Sequence, residues 1–399
     1  MVGDAKAASP LAQCAADALA ATEVWCAARQ WAGYDPYDGA SGSVLASVTS
    51  RSETIARLVT QANKRLPVNC RKWLGIPERR IGKALALFVS GYARALRVME
   101  DATYRERMSL IYGWLVQSAV KRPNDGLGWG YEFDVHTRWS SYRAGTPNVV
   151  ATSFAVQALI EFGALTHTCV DDLVAGAARF VAEELVAENA QAGAFVSYIP
   201  GCEVMIHNAN ALGCSVLAQA GRLGDDAGLL EMSRQCTETL LGSRKQGGLW
   251  PYGSRSDLGW VDSYHTGYIV DSLLRVAEAT GCSSLLDAGM RALAEYTDVF
   301  FGSDGEPLYS ATSRWPHDIH SAATAIDVLS RWSAAGGTEV REAAQRVVNW
   351  TLSRMYDDEG AFDFQHRRIA RNRVRYMRWN QAHMFAALGS FLADAASGR

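Results

Sequence analysis

Residues 260–273 read WVDSYHTGYIVDSL, so Asp262, Tyr264 and His265 stand directly before Tyr268, Ile269, Val270 and Leu273, a segment apolar enough to be buried. An imidazole or a tyrosinate can take a proton from carbon, and a guanidinium can hold a carboxylate while charge develops on it. The same residue types recur along the chain. His265, Tyr264, His320, Tyr376, Asp262 and Asp318 are the candidate catalytic groups. Asp35, Asp38, Tyr34, Trp129, Arg143, Asn148, His207, Asn208, Trp250, Arg378 and Trp379 are the candidate binding groups. Each has a plainer use: Asp262, Asp318 and Asn148 suit helix N-caps, and the tryptophans suit a core. Co-occurrence at equivalent positions is what favours chemistry.

Those positions come from a repeat. Five segments share a Gly-rich aromatic turn, an irregular polar stretch and a small-residue-rich apolar helix, and they begin at Gly126, Gly193, Gly247, Gly305 and Gly360. The polar residues that open the helices, Asn148, Asn208, His265, His320 and Asn380, follow one another at intervals of 60, 57, 55 and 60 residues. Between them lie amphipathic helices such as TEVREAAQRVVNWTLSRMY, with Val340, Ala344, Val347 and Thr351 on one face. One helix class is therefore outer and the other inner. Each hairpin can hide its apolar face only against its neighbours, which predicts a ring. IGKALALFVSGYARAL, from Ile81, supplies a sixth inner helix. The expected fold is all-α, an (α/α)6 toroid with short β-hairpins in the rim loops. Residues 1–399 form one domain in this reading, with 1–78 as N-terminal helices and a loop completing the ring. Inner-helix N-termini then gather at one end, where free N–H groups suit anionic or hydroxyl-rich ligands.

Of 399 residues, 48% are apolar and 20% charged, with a net charge of −3, the profile of a globular chain with a large core. That charge excludes the basic field of a nucleic-acid binder. Arg367, Arg368, Arg371, Arg373, Arg375 and Arg378 crowd one segment, which is either a solvated loop or an anion-binding rim. Eight scattered cysteines without a C-x-x-C pair indicate reduced thiols. The N-terminus lacks the pattern of a secretory signal, and no apolar run approaches a bilayer span, so the expected compartment is the cytoplasm. His317, Asp318 and His320 lack a third nitrogen or sulfur ligand, so no metal is expected. Nucleotide-binding glycine motifs and G-x-S-x-G are absent, and no cofactor is implied.

WAGYDPYDG, GTPNVVATSFAVQAL, GWVDSYHTGYIVDSL, HDIHSAATAIDVL and VRYMRWNQAHMFAAL together resemble, across nearly the whole chain, a family found among bacterial surface-polysaccharide biosynthesis proteins. Its members often carry the label delta-aminolevulinic acid dehydratase, an enzyme with a TIM barrel and a Schiff-base lysine that this sequence does not suggest. More distantly, the toroid is similar to glucuronyl C5-epimerases, polysaccharide lyases, glycoside hydrolases, and terpenoid cyclases and prenyltransferases. The terpenoid branch implies D-x-D-D or D-D-x-x-D, and neither occurs. Aromatic faces beside polar groups match sugar rings. The expected substrate is a uronic-acid-containing glycan or glycoconjugate, with C5 proton abstraction by an epimerase or lyase. The alternatives are a glycoside hydrolase, in which Asp35 or Asp38 works with Asp262 or Asp318, a terpenoid cyclase- or prenyltransferase-like toroid, and a non-catalytic glycan-binding ring.

Overall fold

The computed structural model describes residues 9–189, 193–245 and 248–397; part of the N-terminal stretch and Gly247, which opens the third repeat, lie outside them. The described helices are α1 Pro10–Ala27, α2 Ala46–Thr49, α3 Glu53–Arg65, α4 Gly82–Ala95, α5 Ala102–Gln117, α6 Val149–Thr166, α7 Asp171–Phe180, α8 His207–Leu223, α9 Ala227–Gly242, α10 Ser263–Thr280, α11 Ser283–Phe300, α12 Ile319–Met355 and α13 His383–Ser397. The long α12 is two helices meeting at Gly337, whose φ of 77° and ψ of −165° suit glycine alone.

Helices α4, α6, α8, α10, the first half of α12, and α13 pack each on the next, and α13 returns to α4. The partners α5, α7, α9, α11, the second half of α12, and α1 lie outside them. The architecture is an (α/α)6 toroid, as the repeat spacing predicts. Side-chain pattern explains the two layers. Every residue of α4 is buried. In α11 the buried set is Leu285, Ala288, Gly289, Ala292, Leu293, Tyr296 and Phe300, a single helical face.

The ring closes where α4 and α13 cross. A Cβ on Gly91 would sit 2.4 Å from a ring carbon of Phe385, and one on Gly389 would sit 2.8 Å from the Gly91 carbonyl oxygen. Short antiparallel pairs stand in the rim loops, as expected: Val135–His136 with Ser141–Tyr142, Val186–Asn189 with Gly193–Val196, and His317–Asp318 with Gln365–His366 and Arg371–Asn372. One expectation needs correction. Val149–Thr166 is long and apolar enough to cross a bilayer by length and composition, with a mean hydropathy of 1.5. It is the inner helix α6, packed between α4 and α8, and a core helix passes the same test.

Deeper along the axis the inner helices are tied by charge. Arg94 of α4 donates to both oxygens of Glu161 on α6 at 3.0–3.2 Å, to Asp327 on α12 at 2.8 Å and to Ser390 on α13 at 2.9 Å. Arg331 lies 3.5 Å from Glu161, 3.4 Å from Asp271 on α10 and 3.4 Å from Asp327. Burial alone would raise the Glu161 carboxyl, but Arg94 and Arg331 outweigh it and hold the group down at about 2. Removing one partner from a buried network strands the others. Arg94→Met is expected to cost about 3–5 kcal/mol in urea denaturation; a cost below about 1 kcal/mol, typical of an exposed pair, would show that the network does not hold the ring.

Candidate active site

The loops before the inner helices and the first turns of those helices enclose a cavity of about 460 Å³ at one end of the toroid. His265, Asp262 and Tyr264 enter it from α10, His320 from α12, Asn208 from α8, and Arg378 and Trp379 from the turn ahead of α13. Residues more than a hundred positions apart in the chain thus share one space.

Asp262 is the N-cap of α10, and one of its oxygens accepts the His265 backbone N–H at 3.0 Å. The other oxygen sits 2.7 Å from His265 Nδ1 and accepts the Trp260 indole N–H at 3.1 Å. The cap and the imidazole anchor are therefore the same carboxylate. With Nδ1–H donated to Asp262, Nε2 carries the lone pair, which makes His265 an oriented proton acceptor. The aromatic rings of Tyr252 and Trp260 stack at 4.6 Å beside it, and Tyr252 lies 4.6 Å from the imidazole.

Asp318 caps α12 in the same manner, accepting the His320 N–H at 2.9 Å. Its oxygens also accept the Trp379 indole N–H at 2.9 Å and the Gln365 amide at 2.5 Å, so Asp318 braces the cavity wall from behind. His320 Nε2 is 2.5 Å from the Tyr268 hydroxyl, which in turn accepts from Lys83 Nζ at 3.3 Å. Burial, with His383, Lys83 and Arg378 adding to it, holds His320 neutral well below the usual imidazole range. Burial, and then Arg378, likewise pushes Lys83 well down, and its ammonium position faces the Phe154 ring at 4.0 Å with no carboxylate paired to it among the described residues. His383 packs 3.9 Å from His320 and is pushed down chiefly by burial.

Met377–Ala382 is a π-helical turn, a form that often marks functional positions. Arg378 on this turn donates to both oxygens of Asp35 at 2.5 and 2.8 Å, leaving Nη1 without a hydrogen bond to any described residue. Burial would discharge the guanidinium, but Asp35 outweighs it and keeps it charged.

The other candidates stand elsewhere. Asp35 and Asp38 are buried behind the wall, Asp38 holding Arg71 at 2.6 Å. Tyr34 lies in a separate surface groove with Trp25 and Arg373. Trp129 and Trp250 donate to the carbonyls of Leu115 and Leu240 at 2.9 and 2.8 Å, closing the last turns of outer helices α5 and α9. Asn148 caps α6, and His207 Nδ1 bonds the Pro251 carbonyl. Arg143 is 79% exposed and pairs with Asp134. Tyr376 is fully buried against Arg71 at 4.6 Å, and burial raises its hydroxyl. Tyr264 does line the cavity, but burial and Asp262 hold its phenol well above the usual value. Neither tyrosine therefore supplies a phenolate near neutrality. Lys83, Tyr268, Tyr198, Tyr252 and Lys64 also line the cavity, and none is among the candidates from sequence. Lys83 had a signal: it is the one charge in the first three turns of a helix otherwise apolar or small.

No protein-family model and no curated protein matches the sequence. Solved structures do match. A cellobiose 2-epimerase from Bacillus thermoamylovorans superposes with a TM-score of 0.58 at 14% identity, over 79% of this chain and 89% of that one. A GH76 α-mannanase from Bacteroides thetaiotaomicron gives 0.61 at 12%, over 80% and 87%. A D-mannose isomerase gives 0.56 at 12%, over 80% and 88%. The chain shares their fold.

The buried imidazoles make stability depend on pH. Unfolded histidines bind protons below about pH 6.5, whereas folded His320 and His383 resist them. The unfolded state then holds more protons, so stability falls as pH drops through that value. The thermal midpoint is expected to decline between pH 7.5 and pH 5.5, and less steeply in His320→Gln and His383→Gln. A slope identical in wild type and both variants would show that these imidazoles are solvated.

Proposed function

We propose that the protein is a carbohydrate-active enzyme that removes the C5 proton of a uronic acid residue, as an epimerase or a lyase. One observation carries the reading: a single cavity brings together an Asp-anchored imidazole, a neutral imidazole bonded to a phenol, and an arginine with a free N–H. The neighbours that share the fold include sugar epimerases, an isomerase and glycoside hydrolases, which supports a sugar substrate in general terms.

In this reading His265 Nε2 accepts the C5 proton. Arg378 Nη1 holds the uronate carboxylate as it takes up the electron pair, an interaction that strengthens in the transition state. Among the described residues no carboxylate is paired with Lys83, so an arriving carboxylate favours its charged form and adds a second clamp. Ring order puts α4 opposite α10 and α6 opposite α12. Lys83 reaches across the ring and is joined through the Tyr268 hydroxyl to His320, so in this reading the donor that returns the proton to the other face of the sugar is Tyr131, which enters the cavity from the stretch before α6. Epimerisation requires that return, whereas expulsion of the C4 oxygen gives cleavage.

The lining argues against paired-carboxylate hydrolysis. Two carboxyl groups must flank the bond, and among the described residues Asp262 is the only carboxylate in the lining, already committed to His265 and Trp260. A second reading draws on the epimerase and isomerase neighbours: the same groups can take the C2 proton of a reducing sugar. The surface-polysaccharide setting and a cytoplasmic compartment, in keeping with eight unpaired cysteines, belong to the same proposal.

Incubation in deuterated water with uronate oligosaccharides, read by NMR, tests these readings. Deuterium is expected at C5, and His265→Ala is expected to slow its entry by about 10²–10⁴-fold. Deuterium at C2 of a reducing sugar selects the second reading. Cleavage without deuterium uptake selects hydrolysis, and binding with no turnover leaves a glycan-binding ring; either outcome ends the C5 proposal.

A further inference from the structure

The cavity lining is charged unevenly for a chain of net charge −3. Beyond Arg378 and Lys83 near its floor, four cations stand in the lining: Lys64 and Arg65 on α3, Arg138 in the hairpin loop between Val135–His136 and Ser141–Tyr142, and Arg367 in the loop after Gln365–His366. Three separate stretches of chain each bring positive charge to the same opening. Among the described residues none of the four is paired with a carboxylate, whereas Arg143 and Arg375, outside the lining, are neutralised by Asp134 and by Asp357 with Glu359.

Two of the four are also positioned. Lys64 donates to the Tyr37 hydroxyl at 2.8 Å and lies 5.0 Å from the Trp379 ring, and Arg138 lies 5.2 Å from the Trp260 ring. Trp379 and Trp260 are themselves held by Asp318 and Asp262, the caps behind His320 and His265. The cations at the mouth are thus linked, through one indole each, to the groups that would act on the substrate. Gathered cations in a concave, aromatic-walled opening leave a positive potential that a solvated surface loop would not need.

We infer that the mouth is a second anionic subsite, so that the substrate carries a further negative group outward from the reacting sugar. This rests on the uronate reading for the floor and adds the class of substrate: a polyanionic glycan or a sugar joined to a diphosphate. The shared chemistry is the second charge. Its source is what the test separates.

Titration calorimetry compares a uronate trisaccharide, the same trisaccharide with its carboxyls reduced to alcohols, a uronate monosaccharide, and a nucleoside-diphosphate uronic acid. The trisaccharide or the diphosphate sugar is expected to bind about tenfold or more tighter than the monosaccharide and the reduced form. The preference is expected to shrink as salt rises from about 0.05 to 0.5 M, and Arg138→Gln with Arg367→Gln is expected to erase most of it. Tighter trisaccharide binding assigns an acidic sugar chain, and tighter diphosphate binding assigns an activated sugar. Equal affinity for the charged and reduced trisaccharides, with no diphosphate advantage, overturns the inference, as does a preference insensitive to salt. The salt series on the unaltered protein decides even if the variants fold poorly. Deuterium exchange at C5 is a separate readout: its absence with every ligand defeats the floor reading while a salt-sensitive preference still supports a charged mouth.

Discussion

Everything in this molecule depends on two helix backbones being able to touch. Helices α4 and α13 stand at opposite ends of the chain, and the ring is closed only because Gly91 and Gly389 leave no side chain where they cross. Interiors packed to crystal-like density cannot absorb even one additional methyl there without shifting a ring or a helix. Apolar burial drives the helices together without regard to order. Arg94 and Arg331 supply the discrimination, since an arrangement that separated either from its acids would leave charge buried and unpaired. One end of the axis is thereby locked, and the irregular loops at the other end are free to carry chemistry.

At that free end, helix capping and the arrangement of the reactive groups are one device. A helix N-terminus needs an acceptor for its unsatisfied N–H groups, and a cap contributes about 1 kcal/mol. Asp262 and Asp318 meet that need with one oxygen while the other holds a side chain that shapes the cavity, His265 in one case and Gln365 in the other. Helix α4 has no cap of its own, and Glu132 from the next sector reaches back to accept the Gly82 N–H at 3.0 Å. The alternative of cap or pocket wall, posed by WVDSYHTGYIVDSL, dissolves: the cap is what fixes the wall.

The ring was legible in the sequence because it rests on long-period features. A repeat near 57 residues and two kinds of helix face survive small errors in where each helix begins. The site rests on angular position, which does not. Successive residues turn by about 100° around a helix, so one or two steps separate a group that faces the cavity from one that faces a neighbouring helix. Asn208 lines the cavity while His207 turns to the Pro251 carbonyl; His320 lines it while Asp318 stands behind; Arg378 lines it while Tyr376 packs on Arg71. The aromatic glycine turns misled for a related reason. Trp129 and Trp250 follow their glycines as repeat elements, and the repeated task is closing an outer helix with an indole N–H.

Lys83 was harder to find because it belongs to the helix whose repeat signature is weakest, and its meaning comes from residues far from it in sequence. It contacts Tyr268, which is 185 positions away. A lysine, His320 and an arginine share the floor with His383 packed behind His320, and burial suppresses charge on all but the arginine, which Asp35 sustains. Such a floor disfavours positive charge on its lysine and imidazole, and in the proposed reading an arriving anion would offset that cost at the lysine. Because a buried cation and its anion stabilise one another only at close range, that reading couples binding the anion to charging the lysine. In the same reading a neutral sugar would leave the lysine without that partner, so the sign of the substrate would count for more than its shape.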